Sequence, residues 1–183
     1  ASSGHLTEPG KQAQRLPVEA EWARVLALAP TQLAGDLCDL CSLAMARRNP
    51  WKNTRCEDTL KARKEELGED PWNQALNLVR AADPKRHAAE AEALALCRKV
   101  SGELRELCGA ERRPSEAGKQ HPDLQAFLAS VWPDRFFLLR RHGRGWGNGS
   151  VECRLPRSEQ LPDDCTAAFF LQISPVVGRG LKV

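Results

Sequence analysis

The charged chemistry of this sequence is concentrated between Arg135 and Arg157. Six arginines lie in this stretch, they face only two acids, Asp134 and Glu152, and a tryptophan stands among its glycines. Guanidinium groups bind phosphates through paired hydrogen bonds, glycines allow close backbone approach, and an indole can stack on an unpaired base. The pattern predicts a hairpin that binds single-stranded nucleic acid. The candidate binding residues are Arg135, Arg140, Arg141, Arg144, Trp146 and Arg154.

The same composition also suits a solvated hairpin whose arginines simply keep it soluble, and the residues leave these two interpretations open. The alternating glycines from Gly143 to Gly149 lack the spacing of a dinucleotide-binding loop, so they predict a hairpin tip. Trp132 stands between a predicted helix and a proline. We expect it to pack in the core rather than to stack on a base.

The cysteines and histidines do not form a comparable site. Cys38-x-x-Cys41 lies inside a Leu-rich helix without a second ligand pair, which favours buried structural cysteines over a zinc or redox site. The seven cysteines are irregularly scattered, as is typical of reduced thiols. The four histidines have no metal-ligand spacing, and no Walker-type phosphate loop is present. We predict no catalytic residue, no metal site and no cofactor in this chain.

The elements that would position these residues change type near Pro133. Up to about residue 110 the apolar residues recur at helical spacing, which predicts an antiparallel helical bundle. The third helix would bury Leu33, Leu37, Leu40 and Ala44, and the longest would bury Ala93, Leu96, Val100, Leu104 and Leu107. The first predicted helix begins at the Thr7 cap and ends at Leu16. The later ones run from Glu19 to Leu28, from a Thr31 cap to Asn49, from Arg55 to Leu67, from Asp70-Pro71 onward, and from Lys85 to Cys108.

The sequence changes again beyond residue 110. Residues 111–120 are charged and almost free of apolar side chains, which indicates a linker. One further helix is predicted over His121 to Val131. Three short strands then follow, at 136–139, 151–155 and 169–173, separated by Gly- and Pro-rich turns that are typical of a small β-barrel.

Composition sets the broad class. The chain has 183 residues, of which 42% are hydrophobic and 28% are charged, and its formal charge is +3. This composition suits a soluble domain with a real core. No apolar run reaches the length of a membrane span, and the first residues lack a signal-peptide core. We expect a cytoplasmic α+β protein with no membrane partner.

Several phrases, taken in order, resemble the C-terminal region of bacterial DEAH/DExH-box helicases of the HrpB type. Each of them has a counterpart in the passage of that family that runs from the winged-helix domain through the helical ratchet (HA2) domain to an oligonucleotide-binding (OB) fold. The matching phrases are Leu6-Thr7-Glu8-Pro9-Gly10 with Leu16-Pro17, Ala46-Arg-Arg-Asn-Pro50, Leu104-Arg105-Glu106-Leu107, Val131-Trp132-Pro133-Asp134-Arg135, Asn148-Gly149, Leu161-Pro-Asp-Asp164 and Phe169-Phe170-Leu171-Gln172-Ile173.

The resemblance implies a domain order for the chain. Residues 1–30 would end a winged-helix segment, 31–110 would form the ratchet bundle, and 111–120 would be a linker. Residues 121–183 would add a helix and the start of an OB-like domain. The implied fold class is α+β, a mainly helical bundle followed by a small, incomplete OB-like β-barrel.

The resemblance also implies a function. The parent enzyme would couple ATP hydrolysis to 3′-to-5′ movement along nucleic acid, most often RNA. ATP and magnesium would bind to upstream RecA-like motor domains, and this fragment would bind single-stranded RNA or DNA as one wall of the strand channel. It would have no ATPase activity of its own. Two alternatives remain open: a protein–protein adaptor that docks on an acidic partner or ribonucleoprotein, and a small enzyme that uses Cys or His.

Overall fold

The computed structural model describes residues 6–46, 50–68, 71–81, 83–111, 122–140, 145–154, 165–170, 174–175 and 181–182. The chain divides into two compact units, Ala1–Leu124 and Gln125–Val183, which we call the helical unit and the β unit. Helices come first and a small sheet follows, so the predicted α+β class is confirmed. The predicted linker lies outside the described residues except for Glu111.

The described helices follow the predicted order. Two short 3₁₀ turns, Pro84–His87 and Pro133–Arg135, supplement them. None of the described helices is long and apolar enough to cross a membrane. The α-helices are α1 (Glu8–Arg15), α2 (Ala20–Ala27), α3 (Thr31–Met45), α4 (Glu57–Leu67), α5 (Pro71–Arg80), α6 (Ala91–Cys108) and α7 (Pro122–Val131).

Local chemistry sets several helix ends where the sequence predicts them. The Thr7 side chain accepts a hydrogen bond from the backbone N–H of Gly10 at 3.2 Å, which satisfies one of the free donors in the first turn of α1. Gly68 ends α4 with a φ of 107°, and Gly109 ends α6 with a φ of 64°. Both angles lie in the region that glycine adopts without the steric cost of a Cβ atom.

The prediction of one long helix from Lys85 to Cys108 is wrong. The 3₁₀ turn ends at His87, the next residue Ala88 takes a left-handed φ of 48°, and α6 begins three residues after Ala88. Backbone pairing with an earlier segment explains the break: Lys52 N donates to Ala88 O at 2.9 Å, and Glu90 N donates to Pro50 O at 2.7 Å. These tertiary hydrogen bonds override the local preference of an Ala-rich stretch for helix.

The predicted inner face of α6 is partly wrong. Leu96 and Leu107 are exposed and Val100 is half-buried, although Ala93 and Leu104 are buried as expected. The helix is rotated so that Ser101 and Arg105 also face inward, because both bond to the Asp39 carboxylate of α3. The buried residues of α6 are Ala93, Leu94, Cys97, Ser101, Leu104 and Arg105.

The carboxylates of Asp36 and Asp39 in α3 form a buried charge network that joins α3, α5 and α6. Arg80 donates from Nε to Asp39 Oδ2 at 2.7 Å and from Nη2 to Asp36 Oδ1 at 2.6 Å. Arg105 Nη2 reaches the same Asp39 oxygen at 2.7 Å, and Ser101 Oγ donates to Asp39 Oδ1 at 2.5 Å. Two acids therefore meet two arginines away from water, with hydrogen bonds that offset the cost of burying them.

The β unit contains a sheet whose order is β4-β1-β2-β3-β6-β5. Its first three strands form an antiparallel meander, β4 adds antiparallel to β1, and β6 adds parallel to β3. β5 then pairs antiparallel with β6. The strands are β1 (Phe136–Leu139), β2 (Trp146–Gly147), β3 (Glu152–Arg154), β4 (Ala167–Phe169), β5 (Ser174–Pro175) and β6 (Leu181–Lys182).

The pairing requires this sheet to curl. β4 and β5 are its two outermost strands, yet Phe169 and Ser174 are separated by only four residues. That length of chain reaches about 18 Å at most, whereas a flat sheet with five strand spacings would place its outer strands about 24 Å apart. The two edges must therefore approach each other, which is consistent with the predicted incomplete OB-like barrel.

Candidate nucleic-acid interface

Alternation along the strands gives the sheet two chemically different faces. The inner face carries Phe137 and Trp146, which form the core of the β unit with Cys153 and Phe170. The outer positions belong to the neighbouring residues of each strand. They are Phe136 and Leu138 of β1, Gly147 of β2, and Glu152 and Arg154 of β3.

Trp146 does not have the position predicted for it. Its indole is buried in the core and meets the Phe170 ring edge-on, with centroids 5.7 Å apart. Its backbone lies in β2, where strand alternation points the Trp146 side chain to the inner face and leaves the outer position to Gly147. A buried indole offers no free face to a base, so we correct the prediction that Trp146 is the stacking residue.

Arg135 ends the 3₁₀ turn just before β1 and is half-buried. Its guanidinium carbon stands 4.9 Å from the ring centroid of Trp132, a cation–π distance. Trp132 is itself buried and lies 6.3 Å from the Phe169 ring. The prediction that Trp132 packs in the core is confirmed, and Arg135 packs against that core residue.

Arg140 and Arg154 are both exposed, and the strand register places them in one row. Arg140 N donates to Gly145 O at 2.9 Å, and Trp146 is the register partner of Cys153, so Gly145 stands between Arg140 and Arg154. The register partner of Arg154 on β6 is Lys182. Three cationic residues thus lie in one row across the sheet, with Gly145 between the two arginines and with adjacent strands about 4.8 Å apart.

The outer surface of the segment from Gly145 to Gly147 is made of backbone, because Gly147 of β2 and Gly145 just before it occupy the outer positions. Neighbouring β1 carries outward side chains on one side and β3 carries them on the other. The result is a shallow groove, which we call the glycine groove, with Gly145 and Gly147 as its floor. Its walls contain Phe136, Leu138, Arg140, Glu152 and Arg154.

The Arg140 side chain lies across this groove. A Cβ atom added to Gly147 would fall 2.5 Å from Arg140 Nε and 2.6 Å from its Nη2. Arg140 Nη2 then reaches Glu152 Oε1 on the far wall at 3.2 Å. The missing side chain at residue 147 therefore makes room for an ion pair that spans β2.

The turn between β2 and β3 matches the predicted Asn148-Gly149 turn. Asn148 Oδ1 accepts hydrogen bonds from the backbone N–H groups of Ser150 and Val151, at 3.0 and 2.8 Å. Gly149 takes a φ of 95°, which favours glycine. Asn148 also donates from Nδ2 to the backbone carbonyl of Asp134 at 2.5 Å, which fixes the turn to the 3₁₀ turn that precedes β1.

The sequence interpretation missed two exposed apolar residues on the outer face. Phe136 is 41% exposed and Leu138 is 55% exposed. The signal was available in the run Phe136-Phe137-Leu138-Leu139, because a strand of four apolar residues must place two of them on each face. Lys182 was also missed, since its register with Arg154 depends on a parallel pairing that sequence patterns do not reveal.

Two of the candidate arginines, Arg141 and Arg144, lie outside the described residues. Among the described residues, no group of three or more His, Cys, Asp and Glu side chains is placed to hold a metal ion. Cys38 and Cys41 are fully buried free thiols, as predicted for structural cysteines. Burial, the largest cause, raises the pKa of Cys41 to about 12, so this thiol is protonated at neutral pH.

Comparisons with known proteins add no assignment. No protein-family model matches this chain, and no curated protein matches it. The resemblance to HrpB-type helicases stays a prediction from the order of its motifs.

Proposed function

We propose that this chain is an accessory, non-motor region of an ATP-dependent RNA helicase, and that its β unit binds single-stranded nucleic acid on the outer face of the sheet. The row Arg140, Gly145 and Arg154 is the observation that carries the binding proposal. Arginines stand at the positions on both sides of Gly145, and because this residue has no side chain a phosphate backbone can approach the sheet closely between them. Lys182 extends the row by its register.

The exposed apolar residues take the role first predicted for Trp146. Phe136 lies on the same outer face as the two arginines and presents an exposed ring on which an unpaired base can stack. Leu138 extends this apolar surface by one outer position. Ring and cations therefore lie on one face, two outer positions apart along the chain, and single-strand binders use this combination without reading sequence.

The helicase part of the proposal rests on the colinear phrases described above. It places the protein in the bacterial cytoplasm and assigns ATP and magnesium to RecA-like domains encoded upstream. Sequencing the gene upstream of this chain tests it. We expect a Gly-x-x-x-x-Gly-Lys-Ser/Thr phosphate loop in the same reading frame, and an upstream frame without one would contradict the assignment.

The binding proposal is tested by fluorescence anisotropy with a labelled 15-nucleotide poly-U strand. We expect the logarithm of the binding constant to fall with the logarithm of salt at a slope of about −2, for three contacts at about −0.7 each. The double variant Arg140→Ala/Arg154→Ala should reduce that slope by about 1.4. Arg24→Ala, an exposed arginine of α2, is the matched control and should leave the slope unchanged.

A further substitution tests the stacking surface. Phe136→Ala should weaken binding by about 1–3 kcal/mol without changing the salt slope, because base stacking releases no counterions. Wild-type binding that is undetectable at 50 mM salt, or that survives loss of both arginines, would contradict the proposed function. Capture of an acidic protein partner that depends on Phe136 and Leu138 and resists ribonuclease would favour the adaptor alternative instead.

A further inference from the structure

The ion pair across the glycine groove occupies the same surface that the proposed function assigns to nucleic acid. Arg140 reaches over Gly147 to Glu152, so its guanidinium covers the Gly147 end of the groove floor and is paired with a carboxylate. Gly147 is buried as a result, although it occupies an outer position of the sheet. A phosphate backbone cannot lie on that floor while the pair is closed.

We propose that the Arg140–Glu152 pair is a latch, and that Glu152 is a regulatory residue that competes with phosphate for the Arg140 guanidinium. The inference rests on the proposed function. In the free protein the carboxylate holds the arginine across the groove. On binding, Arg140 exchanges the carboxylate for a phosphate oxygen, which opens the groove and leaves Glu152 to water.

Because both side chains are exposed, separating the Arg140–Glu152 pair costs little free energy. The two side chains are 52% and 74% exposed, so both ions keep much of their hydration when they separate. An exposed ion pair shifts an equilibrium by no more than about fivefold. A phosphodiester offers two oxygens in the same bidentate geometry as a carboxylate, and the neighbouring phosphates of a polyanion add to the negative charge around it. A polyanion can therefore displace Glu152, whereas a single weak anion in bulk solution competes poorly.

Glu152 has a second effect that the test must separate from the latch. It contributes a negative charge beside Arg154, which disfavours any polyanion regardless of Arg140. Removing this charge would tighten binding by long-range electrostatics alone. If the pair is a latch, the increase in affinity that follows removal of Glu152 must also depend on the presence of Arg140.

The experiment is a double-mutant cycle on the full 183-residue chain. Binding of the labelled 15-nucleotide poly-U strand is measured at low salt for wild type, Glu152→Gln, Arg140→Ala and the double variant. We expect Glu152→Gln to tighten binding about two- to fivefold in the wild-type background, the range for an exposed pair. In the Arg140→Ala background we expect the same substitution to change binding less than half as much.

Asp134→Asn is the matched control, because Asp134 is an exposed acid of the same unit that lies outside the groove. It removes the same charge, and it should tighten binding less than Glu152→Gln does. An equal gain from Glu152→Gln with and without Arg140 would overturn the latch and leave the proposed function intact. Absence of wild-type binding would overturn the proposed function and the latch together.

Discussion

The helical unit and the β unit both bring arginines to carboxylates, at nitrogen–oxygen distances between 2.6 and 3.2 Å, but in opposite surroundings. Around Asp39, three donors from two other helices fill the space that water would otherwise occupy. Around Arg140, one carboxylate makes the contact and water reaches the rest. Distance alone does not distinguish a structural ion pair from an exchangeable one, because burial sets the cost of separating the charges.

The most direct test of this difference in stability is to remove one charge from each unit. Asp39→Asn leaves Arg80 and Arg105 buried with one carboxylate, Asp36, between them, so we expect a loss of about 3–5 kcal/mol of stability. Glu152→Gln removes an exposed partner and should cost less than about 1 kcal/mol. Hydrogen exchange of α3 amides in the first variant and of β1 to β3 amides in the second measures each unit separately.

If Asp39→Asn lowers the stability of α3 by less than about 1 kcal/mol, the network around Asp39 is exchangeable too, and the two units no longer differ. A large loss in β1 to β3 for Glu152→Gln would show the reverse, that the latch residues hold the sheet together. Either result would also weaken the argument that Arg140 is available to an anion.

Packing around the network provides a second test. A Cβ atom at Gly35 of α3 would lie 2.8 Å from Arg105 Nη1 and 2.9 Å from Glu111 O. Arg105 cannot move away without leaving Asp39, and it also donates to that Glu111 carbonyl. We expect Gly35→Ala to destabilise the helical unit by about 1–3 kcal/mol.

Gly102 of α6 is the matched control for this substitution. It is also a glycine inside a helix, but a Cβ atom there would meet nothing within 4 Å. Gly102→Ala should therefore stabilise the helix by up to about 1 kcal/mol, the propensity difference between the two residues. Urea unfolding followed by circular dichroism at 222 nm measures both, and equal effects would show that Arg105 is not fixed in place.

Several helix ends were predictable because each depends on chemistry within a few residues. The Thr31 cap of α3 is an exception and was wrong, since Thr31 is the first helical residue and Pro30 precedes it without a side-chain cap hydrogen bond. Thr7 caps α1, Gly68 and Gly109 end helices with positive φ, and Asp83 accepts a hydrogen bond from the backbone N–H two residues later. The break at Ala88 was not predictable on this basis. It depends on pairing with residues 50–52, and alanine gives no local signal for a left-handed conformation.

The rotation of α6 and the outer face of the sheet show a second limit of sequence patterns. Leu96 and Leu107 fit a helical stripe as well as Ala93 and Leu104 do, and only the partners of Ser101 and Arg105 decide which stripe is buried. Two acids three residues apart in the apolar helix α3, Asp36 and Asp39, were the available sign of a buried network. In the β unit, composition found the arginines but not the strand alternation that buries Trp146 and exposes Phe136.

His87 is a case between the two extremes, because a buried imidazole meets a partly exposed carboxylate. Its Nε2 lies 3.3 Å from Glu66 Oε2, and its Nδ1 has no hydrogen-bond partner among the described residues. Burial is the main cause that lowers the pKa of His87. The positive charges of Arg86 and Arg63 act in the same direction, whereas Glu66 and Asp83 oppose it.

The sign of the resulting pH dependence follows from the two states of His87. In the unfolded chain the imidazole titrates near its ordinary pKa of about 6.5, and in the folded chain it binds a proton less readily. Below that pH the unfolded state gains protons first, so the free energy of unfolding should fall as pH drops through 6.5. Urea unfolding between about pH 7.5 and 5.5 should show this loss in wild type and much less of it in His87→Gln. If the two proteins lose stability in parallel, exposure of Glu66 is enough to pair the protonated imidazole, and His87 belongs with the exchangeable pair of the β unit rather than with the buried network.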